Sequence, residues 1–201
     1  TEAEIFAAVG LPWIPPELRE SRGEIDAARA GRLPHLVELG DIKGDLQMHT
    51  TATDGKNTLV EMANACAAMG YEYIAITDHT KAVRVAGGLT SAGFRKQSRQ
   101  IDAIQTRFKH LTILKGAEVD ILDDGSLDLD DDTLEQLDIV VISVHSRFNI
   151  SKTAMTRRIV RAIRHPRAHI LGHPSGRLIG KREAYAVDME EVMKAARDHG
   201  V

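Results

Sequence analysis

The chain has one cysteine in 201 residues, Cys66. A single cysteine excludes an internal disulfide framework and points to a reducing cytoplasm. No stretch reads as a signal peptide, and no apolar run is long enough to span a bilayer, so no membrane role is expected. An excess of one charge is also missing, with a formal net charge of -3. Such a chain is no general polyanion binder, and any nucleic-acid contact must come from a local patch. What is present is ordinary for a globular protein, at 43% hydrophobic and 27% charged. The length suffices for one sizeable domain with a buried core. Cys66 lies in TLVEMANACAAMG, a helical pattern, and reads as a small buried hydrophobe. The start at Thr1 and the end at Val201 suggest a processed chain or an excised domain.

Residues 1–40 differ from the rest. EAEIFAAVG is a short helical pattern closed by Gly10, LPWIPPELRE is too proline-rich for regular structure throughout, and GEIDAARAGRLP is a second short helix. This segment reads as an extension that packs on the outside of something else, with Trp13 as its anchor. From residue 41 a rhythm sets in. Five short apolar runs (DLQMH, YEYIAITDH, LTILKGAEVDIL, DIVVISVHS and AHILGHP), the last four carrying Ile or Val, alternate with amphipathic helical stretches. That is the pattern of repeated β-α units around a parallel sheet. HGV at the end reads as the entry to a sixth strand.

The polar residues of these runs recur at one place. Gln47 and His49 close the first, Asp78 and His79 the second. Glu118 and Asp120 lie late in the third, His145 ends the fourth and His173 the fifth. Each falls at the carboxyl end of a predicted strand. In a β/α barrel those ends face one mouth, whereas the crevice of an open doubly wound sheet gathers residues from two or three strands. The distribution favours a barrel. Taken singly, each residue has an ordinary role: a loop histidine with a hydrogen bond, Asp78 as a helix cap, Glu118 paired with Lys115. Taken jointly, four histidines and Glu118 in one pocket are costly to bury without compensation. Metal ions are the usual compensation, and imidazole with carboxylate suits zinc, manganese and iron. One carboxylate among several histidines suggests a bridge between cations, an arrangement that clamps phosphate and activates water. One element of a metal clamp is missing: GDLQMHTTATDG carries Gln47-x-His49 rather than His-x-His. The residues alone leave open a site with one weak ligand, a site without metal, or ordinary strand chemistry.

The motifs DLQMHTTATDG, YIAITDH, GAEVDIL, SVHS and ILGHP resemble, in this order, those of the PHP (polymerase and histidinol phosphatase) family. The resemblance runs from about Asp41 to the end. ITDHTKAVRVAGGLT, ILKGAEVDIL and HILGHPSGRL further resemble the PHP domain at the carboxyl end of bacterial family X DNA polymerases. GLPWIPPELRESRGEI resembles the segment that joins the polymerase part to that domain. The resemblance implies an α/β fold, a distorted seven-unit β/α (TIM-like) barrel lacking its last strand here, with residues 1–40 as joining segment and 41–201 as the PHP domain. It implies up to three divalent metals, with manganese activating and zinc or iron as alternatives. Gln47 and His49 fall on ligands of the first metal and Glu118 on the carboxylate bridging first and second. His145 and His173 fall on ligands of the second, and Asp54 and His79 on ligands of the third. The family's late Asp-x-His has no counterpart after DHGV.

Arg177 follows His173 in a mouth loop, where a guanidinium can hold phosphate, and Lys81 and Arg84 after TDH can do the same. Glu118 and Arg177 are the expected catalytic pair. Asp45 and Asp120 are candidates to orient histidines. Arg157, Arg158, Arg161 and Arg164 lie along one helix; Arg157, Arg161 and Arg164 share a face, which reads as solvated, a phosphate track being the alternative. DDGSLDLDDD lacks the spacing of a calcium loop and reads as a turn followed by helix-start acids. His35, His110 and His165 read as surface residues, and His169 as a strand-start residue without a catalytic role.

The expected function is metal-dependent hydrolysis of DNA phosphodiesters from the 3′ end, a 3′-5′ exonuclease or end-cleaning activity in repair. The expected partners are single-stranded or gapped DNA and a polymerase core, in the bacterial cytoplasm at the nucleoid. The alternatives are a stand-alone histidinol-phosphatase-like enzyme and an inactive PHP module that holds DNA. With Gln47 in place of histidine and no late Asp-x-His, weak catalysis by this chain and tightest binding at the second metal are expected. Metal titration of His145→Ala and Asp54→Ala checks this: the larger loss is expected for His145→Ala.

Overall fold

The five apolar runs form parallel strands in the computed structural model, which describes residues 1–201. The chain divides into two units, Thr1–Ile42 and Lys43–Val201. In the first, helix α1 (Glu2–Ala8) starts with a Thr1–Glu4 capping box, and helix α2 (Glu24–Arg29) follows a 3-10 turn at Pro16–Leu18. Glu2 joins the pieces. Its carboxylate accepts from the Trp13 indole at 3.1 Å and from Arg19 at 2.7 Å. The Arg19 guanidinium bond, then that of Trp13, lowers the Glu2 pKa to about 2. Trp13 stays 44% exposed.

The second unit runs β1 (Gly44–Met48), α3 (Leu59–Ala68), β2 (Tyr73–Ile76), α4 (Ser91–Gln105), β3 (Thr112–Asp120), α5 (Asp131–Leu134), β4 (Ile139–Ser143), α6 (Lys152–Ile163), β5 (Ile170–Leu171) and α7 (Met189–His199). Thr58, Thr90, Asp130, Ser151 and Asp188 each accept a backbone N–H with the side chain, fixing where these five helices begin. All neighbouring strands pair in parallel, in the order β1-β2-β3-β4-β5. A consecutive order has no reversal point of the kind where a doubly wound sheet opens its crevice. The α/β fold with a curled five-stranded parallel sheet is consistent with a TIM-like barrel. Gly200, at φ 74°, caps α7, and the Val201 N–H donates to the Ala196 carbonyl at 2.9 Å. No helix is long and apolar enough to cross a membrane.

Strand parity decides which residues reach the mouth. Met48, Ile74, Ile76 and Ile113 face the helices in one apolar cluster that includes Cys66. Ala117, Val119, Ile121, Val140, Ile142 and Val144 do so in the other, against Met155, Ile159 and Ile163 of α6 and Val192 of α7. The alternate residues form the inner face: Gln47 and His49, Thr77 and His79, Glu118 and Asp120, Ser143 and His145. The β2–β3 ladder resumes beyond Ile76, where the Glu118 N–H donates to the Asp78 carbonyl and the Thr80 N–H to that of Glu118. That pairing sets His79 beside Glu118. His173 departs from the rule. Leu171 packs on the helix side, and parity would send His173 the same way. A left-handed backbone at His173, φ 25°, turns it instead. This conformation is strained for a residue with a Cβ and is the kind of outlier found at functional sites.

Asp78 is not the helix cap that its position suggested. Its parity is that of Ile76, so it lies fully buried on the helix side. It accepts from the Thr50 N–H (2.8 Å), the Thr50 hydroxyl (2.7 Å), the Thr53 hydroxyl and the Gln97 amide of α4 (2.5 Å). It therefore ties down the loop carrying His49 and Asp54. Gly55 closes that loop, its N–H donating to the Thr50 carbonyl. A Cβ there would collide with the His49 carbonyl. Arg158, off the face that Arg157, Arg161 and Arg164 share, is 2% exposed. Its guanidinium donates to the carbonyls of Ile121, Leu122 and Ser146, joining the loops after β3 and β4. Burial lowers its pKa.

Replacing Asp78 by alanine leaves several donors without an acceptor and is expected to destabilise the protein by about 2–4 kcal/mol. Calorimetric melting together with amide exchange at residues 49–55 checks it. A melting temperature and exchange rates equal to those of the wild type would show that the loop does not hang on Asp78.

Candidate metal centre

Glu118 is the middle of the site. It is 2% exposed, on the inner face of the central strand, and four imidazoles surround its carboxylate. Oε2 lies 3.3 Å from His49 Nε2 and 3.3 Å from His79 Nδ1. Oε1 lies 3.3 Å from His145 Nε2 and 3.1 Å from His173 Nε2. The four rings form an arc, with successive centroids 4.4, 5.0 and 5.1 Å apart. Asp54 completes the opposite side at 3.4 Å from His49 Nδ1 and 3.6 Å from His79 Nε2.

Burial pushes the Glu118 carboxyl upward, but the bonds from His145, His173 and His49 outweigh it and hold its pKa far below the carboxylate range. The Glu118 bond raises His49 against its burial. Burial lowers His79 despite the same carboxylate. For His145 burial acts downward, yet Asp120 and Glu118 together push it up to about 9. Asp120 Oδ1 accepts the His145 backbone N–H at 3.1 Å and lies 3.1 Å from the ring Nδ1. That contact turns Nε2 toward Glu118, the role that an outer carboxylate plays for a ligating histidine.

The donor set fits divalent cations. His49 Nδ1 and His79 Nδ1 are buried without a hydrogen-bond partner, although each faces a carboxylate oxygen. Such facing atoms without hydrogen-bond alignment are what ligands of a shared ion look like. Tetrahedral ligands at about 2.1 Å from an ion stand about 3.4 Å apart, and the contacts above span 3.1 to 3.6 Å. In two sets, His49–Asp54–His79 and His79–Glu118–His145, one ligand atom from each residue lies within 4.8 Å of those of the other two.

Gln47 sits where β1 shifts register against β2. Its Oε1 accepts from the Thr77 hydroxyl at 3.3 Å, and its Nε2 lies 3.3 Å from His49 Nε2. The glutamine thus shares the ring nitrogen that faces Glu118. The structure brings Gln47, His49, Asp54, His79, Glu118, His145 and His173 into one cluster. Lys81, Arg84 and Arg177 stay outside it: all three are exposed on loops after β2 and β5, and none has a carboxylate partner. Asp45 does not orient a histidine but accepts the Gln47 N–H at 2.8 Å. His165 is half-buried and accepts the Arg167 N–H, not the surface residue expected. Asp78 and Arg158 were the positioning residues missed, and parity with Ile76 would have revealed the first.

The PHP domain family model matches residues 45–199. A Bacillus subtilis (strain 168) protein named "DNA polymerase/3'-5' exonuclease PolX" is 46% identical over 197 residues, 98% of this chain and 34% of that protein. A protein of Thermoanaerobacter sp. (strain X514) named as a probable phosphatase is 31% identical over 163 residues, 78% of this chain and 61% of that protein. Another probable phosphatase, from Caldicellulosiruptor saccharolyticus, is 33% identical over 158 residues, 75% of this chain and 60% of that protein. The chain thus spans about a third of the Bacillus relative and about three-fifths of these two phosphatases. Family match and strand-end cluster agree, and the chain belongs to the PHP domain family.

Proposed function

We propose that this chain is a metal-dependent phosphoesterase domain that acts on DNA phosphodiesters at 3′ ends, as part of a family X DNA polymerase. The observation that carries the reading is the Glu118 carboxylate within 3.3 Å of four imidazoles. The Bacillus relative's name supplies the substrate class. In this reading the barrel has seven units, residues 1–40 join it to a polymerase core, and the protein works at the nucleoid.

Up to three divalent cations would be held: one by His49 and Gln47, one by His145 and His173, one by Asp54 and His79, with Glu118 shared. Bound cations supply charge to polarise a phosphoryl group and lower the pKa of water. Manganese is the activating choice, with zinc or iron as alternatives. The chain's own residues do the rest. Glu118, kept ionised by its imidazoles, supplies the fixed negative charge that makes the mouth selective for cations. Asp120 fixes the His145 ring, and Asp78 fixes the loop bearing His49 and Asp54. Gln47 is a neutral contact in place of a charged or imidazole one, which leaves its side of the mouth the weaker cation holder. Arg177, Lys81 and Arg84, free of carboxylates, would attract the phosphate backbone and orient the ester. The probable phosphatases among the relatives favour a second reading, hydrolysis of small phosphomonoesters.

Manganese titration by calorimetry, with 3′-labelled single-stranded DNA and histidinol phosphate as competing substrates, tests this. Saturable manganese binding is expected, abolished by Glu118→Ala, with DNA hydrolysed in preference. Absence of binding by either manganese or zinc would leave only a structural module, and preference for histidinol phosphate would favour the second reading.

A further inference from the structure

The two loops that leave the mouth after His145 and His173 build a feature that no metal requires. Three side chains form a column: Tyr185 stacks on Phe148 with centroids 6.1 Å apart and planes 13° apart, and the Arg182 guanidinium lies 3.9 Å over the Phe148 ring. The guanidinium is held a second time, its Nε donating to the Gly176 carbonyl at 2.9 Å. Gly176 in turn donates its N–H to the His173 carbonyl at 3.0 Å. It has φ 59°, and a Cβ there would strike the Tyr185 ring, so only glycine lets the column stand against the turn that carries His173. On the other side Arg147 and Phe148 follow His145 by two and three residues. At about 3.8 Å per residue the Arg147 Cα is within about 8 Å of the His145 Cα.

Beside this column is a cavity of about 550 Å³ lined by Arg147, Phe148, Asn149, Ile150 and Arg182. Its size is that of a small-ligand site. It holds two guanidiniums and no carboxylate among its lining residues. Arg147 is tied at 3.3 Å to Asp123, both ends exposed. A flat cation immobilised on an aromatic ring is a surface on which nucleobases stack. A second guanidinium beside it suits phosphate, and Asn149 offers a donor and an acceptor to a base edge.

We propose that Arg182, backed by Phe148 and Tyr185, is a stacking platform for a base of single-stranded nucleic acid, with Arg147 holding its phosphate, beside the metal centre. The proposal rests on the phosphodiesterase reading and extends it: base stacking at the mouth selects an unpaired strand over a small phosphomonoester. The inner guanidinium face is spent on Phe148, so the base meets the outer one.

Fluorescence anisotropy of the metal-free chain with labelled octathymidylate, and with an abasic strand of equal length, tests it. The wild type is expected to bind the thymidine strand about tenfold more tightly. Arg182→Ala is expected to erase that preference. Arg182→Lys, which keeps the charge without the plane, should also erase it while holding the abasic strand as the wild type does. Arg147→Ala should weaken both strands alike. Equal affinity of the wild type for the two strands, or a preference that survives in Arg182→Ala, overturns the platform. Manganese binding, read separately by calorimetry, is expected to be unchanged in Arg182→Ala. Its absence in the wild type would overturn the metal-centre reading while the two strands still judge the platform.

Discussion

One buried carboxylate governs this molecule. Glu118 sits on the central strand with almost no exposure, and a charge so placed is stable only when its oxygens are fully occupied. Imidazoles from the other four strand ends occupy them. Each must arrive at the right depth, which fixes how far each strand runs and where its loop turns. The resumed β2–β3 ladder at Asp78–Thr80, the register shift near Gln47 and the left-handed backbone of His173 are all consequences of bringing rings to that one group.

The loops that deliver the rings are anchored from below. Asp78 binds the first loop from the helix side, reaching Gln97 of α4. Arg158 reaches up from α6 to carbonyls flanking Asp120 and His145. Both are charged residues in the apolar layer, satisfied by backbone and side-chain groups rather than by a partner of opposite charge. Hydrogen bonds of this kind are directional, so they fix loop position where apolar packing alone would allow sliding. The same logic continues outward at Gly176, where a turn bonded to His173 also supports the Tyr185–Phe148–Arg182 column.

Much of the fold was legible in the sequence because two periodicities carried it. Short apolar runs marked all five strands, and the amphipathic stretches between them marked the helices. The strand-end position of His49, His79, Glu118, His145 and His173 was readable for the same reason, since a parallel strand has only one end toward the mouth. Less legible was which strand-end residue points inward. Asp78 and His79 are adjacent, yet only His79 enters the site. Arg158 was lost among neighbouring arginines, because composition cannot tell a solvated guanidinium from one that caps buried carbonyls.

By itself the sequence determined the alternation of strands and helices, the strand-end clustering of histidines around one glutamate, and the single departure at Gln47. These are local or periodic properties, written in residue order. Only the tertiary structure decided that Asp78 braces a loop, that Asp120 rather than Asp45 orients a ring, and that the Arg182 guanidinium lies over Phe148. Those outcomes depend on which groups meet across loops distant in sequence, and burial and hydrogen-bond direction decide them once the sheet has curled.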